Sequence, residues 1–478
     1  MKSAALSAVR WTSMSTAVRA ALQVAQITVF ARWIAADQLG LIAMVAAVTS
    51  LVQIFSDMGV SMAIMQRTRI SHEELSSLYW FSLAVGVALG LVLATLSPLI
   101  AGVYRDDRLL PLILALSPVP LVVAAGQQFK VLAEKSLDFS TVSRIDLVSA
   151  VLAFVATAVV AIAGGGAYAV VTSIAVSALV TSVLACAVLG RGKRPGRVFK
   201  LDRIRSFLSF GGYTVANNIV ATLNQQLDVF LGGRLLGAQA LGVYNIPREF
   251  CLRIAMLINP IATRVGLPLM VKAQDDVDLL RKVYLTTLRM TASTNFPIYV
   301  FLFGFADQVV PLLLGARWLP AVPLMRVLAL WGLFRSITNP AGSLLFGTGN
   351  ARRAMLWNLA CLAAAAPVLW MTGHHSALAL AYGQLALAVV VSLAGWRFLV
   401  EPLCRASFTA YWMQVIPALT SALIALAASD LLAAPIFDGW PRLAARAIAF
   451  AVVYLGASSV LNRQWLNLML ELLGRRRQ

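Results

Sequence analysis

Long apolar runs separated by short polar connections recur from one end of the chain to the other. They fall at about 10–34, 38–64, 75–101, 108–132, 144–164, 167–190, 206–231, 240–270, 286–308, 320–346, 353–372, 376–399, 408–432 and 440–462. A hydrocarbon core of roughly 30 Å needs about 20 helical residues to cross it. The pattern therefore predicts an all-α polytopic membrane protein with about 14 transmembrane helices.

The stretch from Ser206 to Met270 departs from plain apolarity. Its first helix places Thr214, Asn217, Ala221, Asn224 and Asp228 at alternating spacings of three and four, which puts them on one stripe. Its second carries Arg248, Glu249, Arg253 and Arg264 among Ile, Leu and Met, with Pro247, Pro260 and Pro268 interrupting the backbone ladder. The first helix of the chain repeats the stripe with Thr12, Thr16, Arg19, Gln23 and Gln26. Such faces cannot point at lipid, and ionisable groups at membrane depth mark functional paths by default. The two stripes predict a water-accessible cavity between two halves of the chain.

The halves are visible as a repeat. VFARWIAADQLG from Val29 resembles VFLGGRLLGAQALG from Val229, each at the turn joining the first two spans of its half. Six spans per half is an even number, so the halves share one orientation, the parallel kind of transporter repeat related by an axis along the membrane normal. The predicted organisation is a six-helix bundle at 1–190, a basic linker at 191–205, a second six-helix bundle at 206–400, and two extra helices with a basic tail at 401–478. The connections near 191–205 and 271–285 are the longest on the cytoplasmic side. Leu279, Leu280, Val283 and Tyr284 against Arg281 and Lys282 predict an interfacial amphipathic turn in the second.

Composition and charge add orientation and exclusions. Of 478 residues, 60% are hydrophobic, above the roughly 45–50% usual in soluble domains. The net charge of +19 is distributed in short runs between apolar segments, which the positive-inside rule explains without nucleic acid. With the N-terminus inside, 26 Lys and Arg lie in cytoplasmic connections or tails, 7 on the other side and 6 within spans, so both termini are predicted to be cytoplasmic. Cys186, Cys251, Cys361 and Cys404 are scattered singly, and His72, His374 and His375 show no ligand spacing, so no metal or cofactor is expected. Arg10, Thr12, Arg19, Gln23 and Gln26 break any compact apolar core of a cleavable leader, which makes the first segment a retained span.

The intramembrane cations divide by their neighbours. Arg264 and Arg326 are within about two turns of a span end, from where an arginine can snorkel to the interface. Arg253 has Glu249 one turn before it, so pairing and substrate contact are both open to it. Arg19, Arg248 and Arg335 have no carboxylate three or four positions away on their own helices. An arginine at the helix centre costs on the order of 2.5–3.5 kcal/mol on insertion scales, which water and an anionic ligand offset. Its fork of donors suits a phosphate or diphosphate. Gln23, Asn217 and Asn224, with Asn218 and Gln225, offer amides for sugar hydroxyls or for bridging helices. Asp57, Asp228 and Glu249 are candidates for a coupling proton or Na⁺, Asp146 being suited to a basic partner nearby. Asp57 precedes Gly59 and also suits a helix cap, and Asp228 near a span end also suits solvation. Asp37, Asp106, Asp107 and Asp438, beside Arg105, Arg108 and Arg442, read as solvated turns rather than catalytic acids.

Three segments carry a family likeness: FSDMGVSMAIMQR from Phe55, YNIPREFCLRIAMLINPIATRVGLPLMVKAQDD from Tyr244 and RVLALWGLFRSITNPAGSLLFGTGN from Arg326. They resemble the polysaccharide-transport branch of the multidrug/oligosaccharidyl-lipid/polysaccharide exporter superfamily, and within it the colanic-acid type of repeat-unit flippase. The resemblance implies two six-helix bundles plus two C-terminal helices in a bacterial inner membrane. It also implies alternating access for an undecaprenyl-diphosphate-linked oligosaccharide moving to the periplasmic leaflet. Polysaccharide polymerase and glycosyltransferases would be its partners, with bilayer lipid around it. Related lipid flippases hold the diphosphate with cavity arginines, and Arg19 and Arg248 fall in the helices where that role would lie, with Arg253 and Arg335 as further candidates. Carboxylates proposed for coupling in drug-exporting relatives have no clear counterpart, which leaves the driving ion open. A multidrug cation antiporter and a membrane glycan polymerase or ligase are the competing readings. An arginine-lined cavity opposes the first, and the lack of a sizeable acidic or His-bearing outer loop opposes the second.

Overall fold

The computed structural model describes residues 18–474 except 20, 24, 58–59, 67–69, 192–194, 197 and 433–438. Regular structure among the described residues is entirely helical. The chain folds into two compact units, Met1–Asn245 and Ile246–Gln478.

In the first unit, α1 covers the described part of 18–33. It is followed by α2 (Ala36–Asp57), α3 (Val60–Gln66), α4 (His72–Tyr104), α5 (Leu109–Leu116), α6 (Val119–Lys135), α7 (Phe139–Ile162) and α8 (Tyr168–Leu184). Local sequence sets several of the ends. Ser71 opens α4 with a reciprocal cap, its hydroxyl accepting from the Glu74 amide at 3.2 Å while the Glu74 carboxylate accepts from the Ser71 amide at 2.8 Å. Asp138 caps α7 by accepting from the Thr141 amide at 3.2 Å. The basic connection after α8 lies along the first turns of α4. The Gly196 amide donates to Ser76 Oγ at 2.7 Å, Trp80 Nε1 to the Gly196 carbonyl at 2.8 Å, and Lys200 Nζ reaches Glu73 at 3.1 Å.

α9 runs from Leu201 to Lys272 and is broken at Gly237, whose φ of 77° and ψ of 175° favour glycine. The two spans expected at 206–231 and 240–270 meet at this break. The second unit begins inside α9 and continues through α10 (Val277–Gly304), α11 (Ala306–Leu313), α12 (Val322–Gly347), α13 (Ala351–Gly373) and α14 (Ala377–Gly395). It ends with α15 (Glu401–Cys404), α16 (Phe408–Leu432), α17 (Trp440–Leu461) and α18 (Arg463–Gly474). Its packing order repeats that of the first unit: α4 on α6 and α10 on α12, α6 on α8 and α12 on α14, α7 on α8 and α13 on α14. Both α8 and α14 end in one turn of π-helix, at Ala185–Leu189 and Trp396–Val400.

Among the described residues ten helices are long and apolar enough to cross a membrane, or eleven if α10 and α11, bent by 84°, make one span. The remaining expected segments, 10–34, 206–231 and 240–270, are the ones that carry the two polar stripes and the intramembrane Arg and Glu, so length and composition leave the count of fourteen open. Two expectations are corrected. Leu280 and Tyr284 are buried and belong to α10, which starts one short turn after α9 with Asp276 as its cap, so 271–285 holds no separate interfacial element. The tail includes a further helix, α18, too short to span. α16 packs along α10, and the α17 end is tied to it: Tyr454 donates to the Ser293 carbonyl at 2.6 Å and Asn462 Nδ2 to Ser293 Oγ at 2.7 Å.

The repeated turn segments touch each other within the first unit. Aligned on their final glycines, they place Ala36 with Ala238 and Gly40 with Gly242. A Cβ built on Gly40 would lie 1.8 Å from the Ala238 carbonyl oxygen, and one built on Gly242 would lie 1.8 Å from the Ala36 carbonyl oxygen. The contact is therefore reciprocal under the repeat. Each segment presents a small residue four positions before a glycine, the spacing that lets helix backbones approach. Gly40→Ala and Gly242→Ala should each destabilise the protein by about 1–3 kcal/mol, the usual cost of overpacking. Gly102→Ala, where a Cβ meets nothing within 4 Å, should be neutral or slightly stabilising. Thermal unfolding of the purified protein in detergent reads both, and equal melting temperatures for all three variants would refute the close contact.

Candidate functional site

Each unit holds a cluster in which two cations share one carboxylate. In the first, Lys130 from α6 reaches Asp146 of α7 at 2.8 Å, and Arg19 of α1 reaches the other oxygen of the same carboxylate at 3.5 Å. The three groups are half-buried or better, so their charges are only partly screened. Sequence spacing along α1 gave Arg19 no carboxylate, and the fold supplies one from another helix. Asp146 has the basic partner expected for it. Two cations on one carboxylate leave this cluster with a surplus positive charge.

In the second unit, Arg248 is almost wholly buried and donates to Glu249 at 3.3 Å, while Arg253 Nε lies 3.4 Å from the other Glu249 oxygen. The expected Glu249–Arg253 pair is present. Arg248 has no carboxylate three or four positions away, and the adjacent Glu249 supplies one instead. Arg335 stacks its guanidinium over the Trp331 ring at 5.2 Å. On the neighbouring α10, the Tyr299 hydroxyl donates to the Cys251 carbonyl at 3.0 Å, fixing α10 against the Arg248 helix. Arg326 lies near Asp307 at 3.7 Å, and Arg264 falls outside the residues whose side chains are described.

The amides and remaining carboxylates distribute as follows. Gln23 is exposed, and Gln26 donates to Ser173 Oγ of α8 at 3.2 Å. Asn217 keeps a buried side-chain oxygen with no hydrogen-bond donor among the described residues, and Asn224 lies about two turns further along the same stripe of α9. Asp228 is fully buried and accepts from the Tyr244 hydroxyl at 2.6 Å, across the Gly237 break, which corrects its reading as a solvated end. Asp57 is the last residue of α2, and its side chain lies outside the described set, as do Thr12, Thr16 and Asp438. At the turn after α4, Arg108 holds Asp106 at 2.8 Å and Asp37 at 2.7 Å. Hydrogen bonding from that guanidinium pulls the Asp106 carboxyl below the usual carboxylate range, a poor setting for a general acid near neutral pH.

Beside the Arg19–Asp146–Lys130 cluster is a cavity of about 340 Å³ between α2, α6 and α8. Gln53, Gln127, Lys130, Ser173, Ser177 and Thr181 supply its polar lining, with Val119, Val123 and Ile174 among its apolar residues. These groups were not singled out as candidates from the sequence. Their signal was there: Ser173, Ser177 and Thr181 are each four apart, one hydroxyl stripe on one helix face.

Residues 29–323 match the family model described as polysaccharide biosynthesis protein. The chain is 32% identical over 410 residues to the teichuronic acid biosynthesis protein TuaB of Bacillus subtilis (strain 168), a match covering 86% of this chain and 85% of that protein. It is 30% identical over 411 residues to the lipopolysaccharide biosynthesis protein WzxC of Escherichia coli (strain K12), covering 86% and 84%. The fold is similar to that of lipid II flippase MurJ in an inward closed conformation, with a TM-score of 0.78 over 95% of this chain and 99% of that one at 14% identity. It is also similar to that of an inward-facing MATE-family multidrug resistance transporter of the MOP superfamily, with 0.63 over 84% and 99% at 14% identity. The chain is thus a multi-span membrane protein with a MurJ- and MATE-like all-α fold.

Removing the shared carboxylate tests the first cluster. Asp146→Asn leaves Lys130 and Arg19 facing each other and should cost about 1–3 kcal/mol, the scale of a hydrogen bond to a charged group. Asp146→Leu combined with Lys130→Met should recover much of that loss, since an apolar pair replaces a half-buried ion pair at little cost. Melting temperatures of the purified variants check this, and an unchanged Asp146→Asn value would show that the pair does not hold α6 to α7.

Proposed function

The chain belongs to the polysaccharide biosynthesis protein family, and from that membership we propose that it is a flippase for an undecaprenyl-diphosphate-linked oligosaccharide repeat unit. In this reading it carries the unit from the cytoplasmic to the periplasmic leaflet of a bacterial inner membrane, with both termini cytoplasmic, as a transporter and not as an enzyme. The observation that carries the proposal is the Arg19–Asp146–Lys130 cluster, whose surplus positive charge adjoins a polar cavity within helices of a membrane-spanning fold. An anion with several oxygens satisfies such a surplus, and the planar fork of Arg19 binds two of them at once. A cationic drug does not.

Arg248, Arg253 and Arg335 extend the diphosphate site in this proposal, with Gln23, Asn217 and Asn224 offering hydrogen bonds to the glycan. The buried oxygen of Asn217 is an acceptor suited to a sugar hydroxyl. The sequence-based division into halves at 1–190 and 206–400, with 401–478 added, supplies the two bodies that alternate access. Coupling to a proton or Na⁺ is assigned to a carboxylate among Asp57, Asp228 and Glu249. Asp228 is more enclosed than Glu249, since it is sealed from solvent and held by Tyr244. Glycosyltransferases and a polysaccharide polymerase stand on either side of the step, the first making the repeat unit and the second using it.

Deleting the gene should make a lipid-linked oligosaccharide accumulate on the cytoplasmic leaflet, identifiable by mass spectrometry of extracted lipid. Complementation with wild type should clear it. Arg19→Ala and Arg248→Ala should each restore less than a tenth of surface polysaccharide while reaching the membrane at normal levels. Full complementation by both variants would overturn the cationic site, and dye efflux by the purified protein without glycan accumulation would point to a drug antiporter instead.

A further inference from the structure

The cavity between α2, α6 and α8 has no role in the diphosphate site, yet its lining is specific. Gln53 projects from α2 with no hydrogen bond to a described residue. Gln127 of α6 gives its amide nitrogen to Ser61 Oγ at 3.4 Å, a long bond that leaves its oxygen for a ligand. On α8 the hydroxyls are held in order by α7: Thr181 donates to Ser149 Oγ at 2.8 Å, and Ser149 Oγ sits 3.3 Å from Ser177 Oγ while donating to the Ser177 carbonyl at 2.9 Å. Gln26 of α1 holds Ser173 from the other side. The cavity floor is set where α6 and α8 cross at backbone distance, a Cβ on Gly126 falling 2.5 Å from the Ser182 Cα. The α8 hydroxyls around the cavity are thus fixed by neighbours that do not themselves fill it, while Gln53 is left to meet a ligand.

The chemistry of that lining narrows the occupant. Lys130 is the one formally charged residue among the described lining residues, and its ammonium faces Asp146, so a metal cation or driving ion meets repulsion there. A lipid acyl chain would strip water from Gln53, Gln127 and Lys130 without giving a hydrogen bond back, which is unfavourable for each group. A ligand of many hydroxyls, each both donor and acceptor, matches amides and hydroxyls together with the apolar flank of Val119, Val123 and Ile174. The volume of about 340 Å³ lies at the lower end of ligand pockets, roughly 300–1,000 Å³, the scale of a sugar residue rather than a whole repeat unit.

We infer that this cavity is a saccharide subsite, which takes a neutral sugar ring of the lipid-linked oligosaccharide through Gln53, Gln127, Ser173 and Ser177. The inference rests on the flippase reading above and adds to it a place where the protein distinguishes a glycosylated carrier from a bare one. Arg19 and Lys130 are separated by the one carboxylate of Asp146 that they share, so a diphosphate at Arg19 and a sugar in the cavity are reached within one unit of the protein.

The test compares two probes on the purified full chain in nanodiscs. One is undecaprenyl diphosphate without sugar, and the other is the glycosylated carrier extracted from cells lacking this gene. Wild type should bind the glycosylated probe tenfold or more tightly than the bare one. Gln53→Leu and Gln127→Leu should each lower that preference by about fivefold, the worth of one neutral hydrogen bond near 1 kcal/mol, without changing affinity for the bare carrier. Gln53→Leu removes no hydrogen bond to a described residue, so it serves as the reference variant that keeps the fold intact. Equal binding of both probes by wild type, or an unchanged preference in both variants, would show a hydrated cavity only and overturn the subsite while leaving the flippase reading standing. Binding of neither probe would overturn that reading, and the subsite with it.

Discussion

A charge carried to membrane depth must find a partner inside the protein, and the placement of helices here follows that constraint. Arg19, Lys130, Arg248, Arg253 and Arg446 each reach a carboxylate. Arg335 uses the face of Trp331, and Arg446 adds the Phe305 ring to its ion pair with Asp430. These contacts select which helices can be neighbours. The Lys130–Asp146 bridge holds α6 to α7, Arg19 brings α1 to the same point, and Arg446 ties α17 to α16. Apolar packing alone does not choose so sharply, because lipid tails are as apolar as leucine.

Much of the architecture was legible in the sequence because length and apolarity are local properties. The helices from α2 to α8, from α12 to α14, and α16 and α17 lie close to the predicted segments, whereas α10 begins at Val277, ahead of the segment predicted from 286; the break at Gly237 falls in the predicted turn between two segments. α18 was missed because a search for spans of about 20 residues passes over an amphipathic dozen. The repeat was readable from two short matching segments, yet the deeper correspondence, the same packing order and a π-turn closing the sixth helix of each half, needed the three-dimensional structure.

The site was legible in part, and the boundary has a physical cause. Residue types marked α1 and α9 as helices with polar stripes, because a stripe at spacings of three and four is a property of one helix. Pairing is a property of two. Arg19 and Asp146 are 127 residues apart, and nothing along α1 announces their contact. Arg248 and Glu249 are adjacent, a spacing at which side chains on a helix do not face each other. The long arginine nevertheless bends back to its neighbour at 3.3 Å. The hydroxyl stripe of α8 was periodic enough to be seen, but it was hidden among residues that serve equally well as helix-packing surface.

The reciprocal contact of Gly40 with Ala238 and Gly242 with Ala36 has the form of a two-fold interface between identical partners, made by segments of a single polypeptide. Association of two separate copies through such a small patch would depend on protein concentration and would be weak. Within one chain the partner is always present, held near by the folded helices between the two segments rather than by its concentration in solution. The patch can therefore remain small and still be occupied, and it can part and re-form without the partners ever being lost to each other.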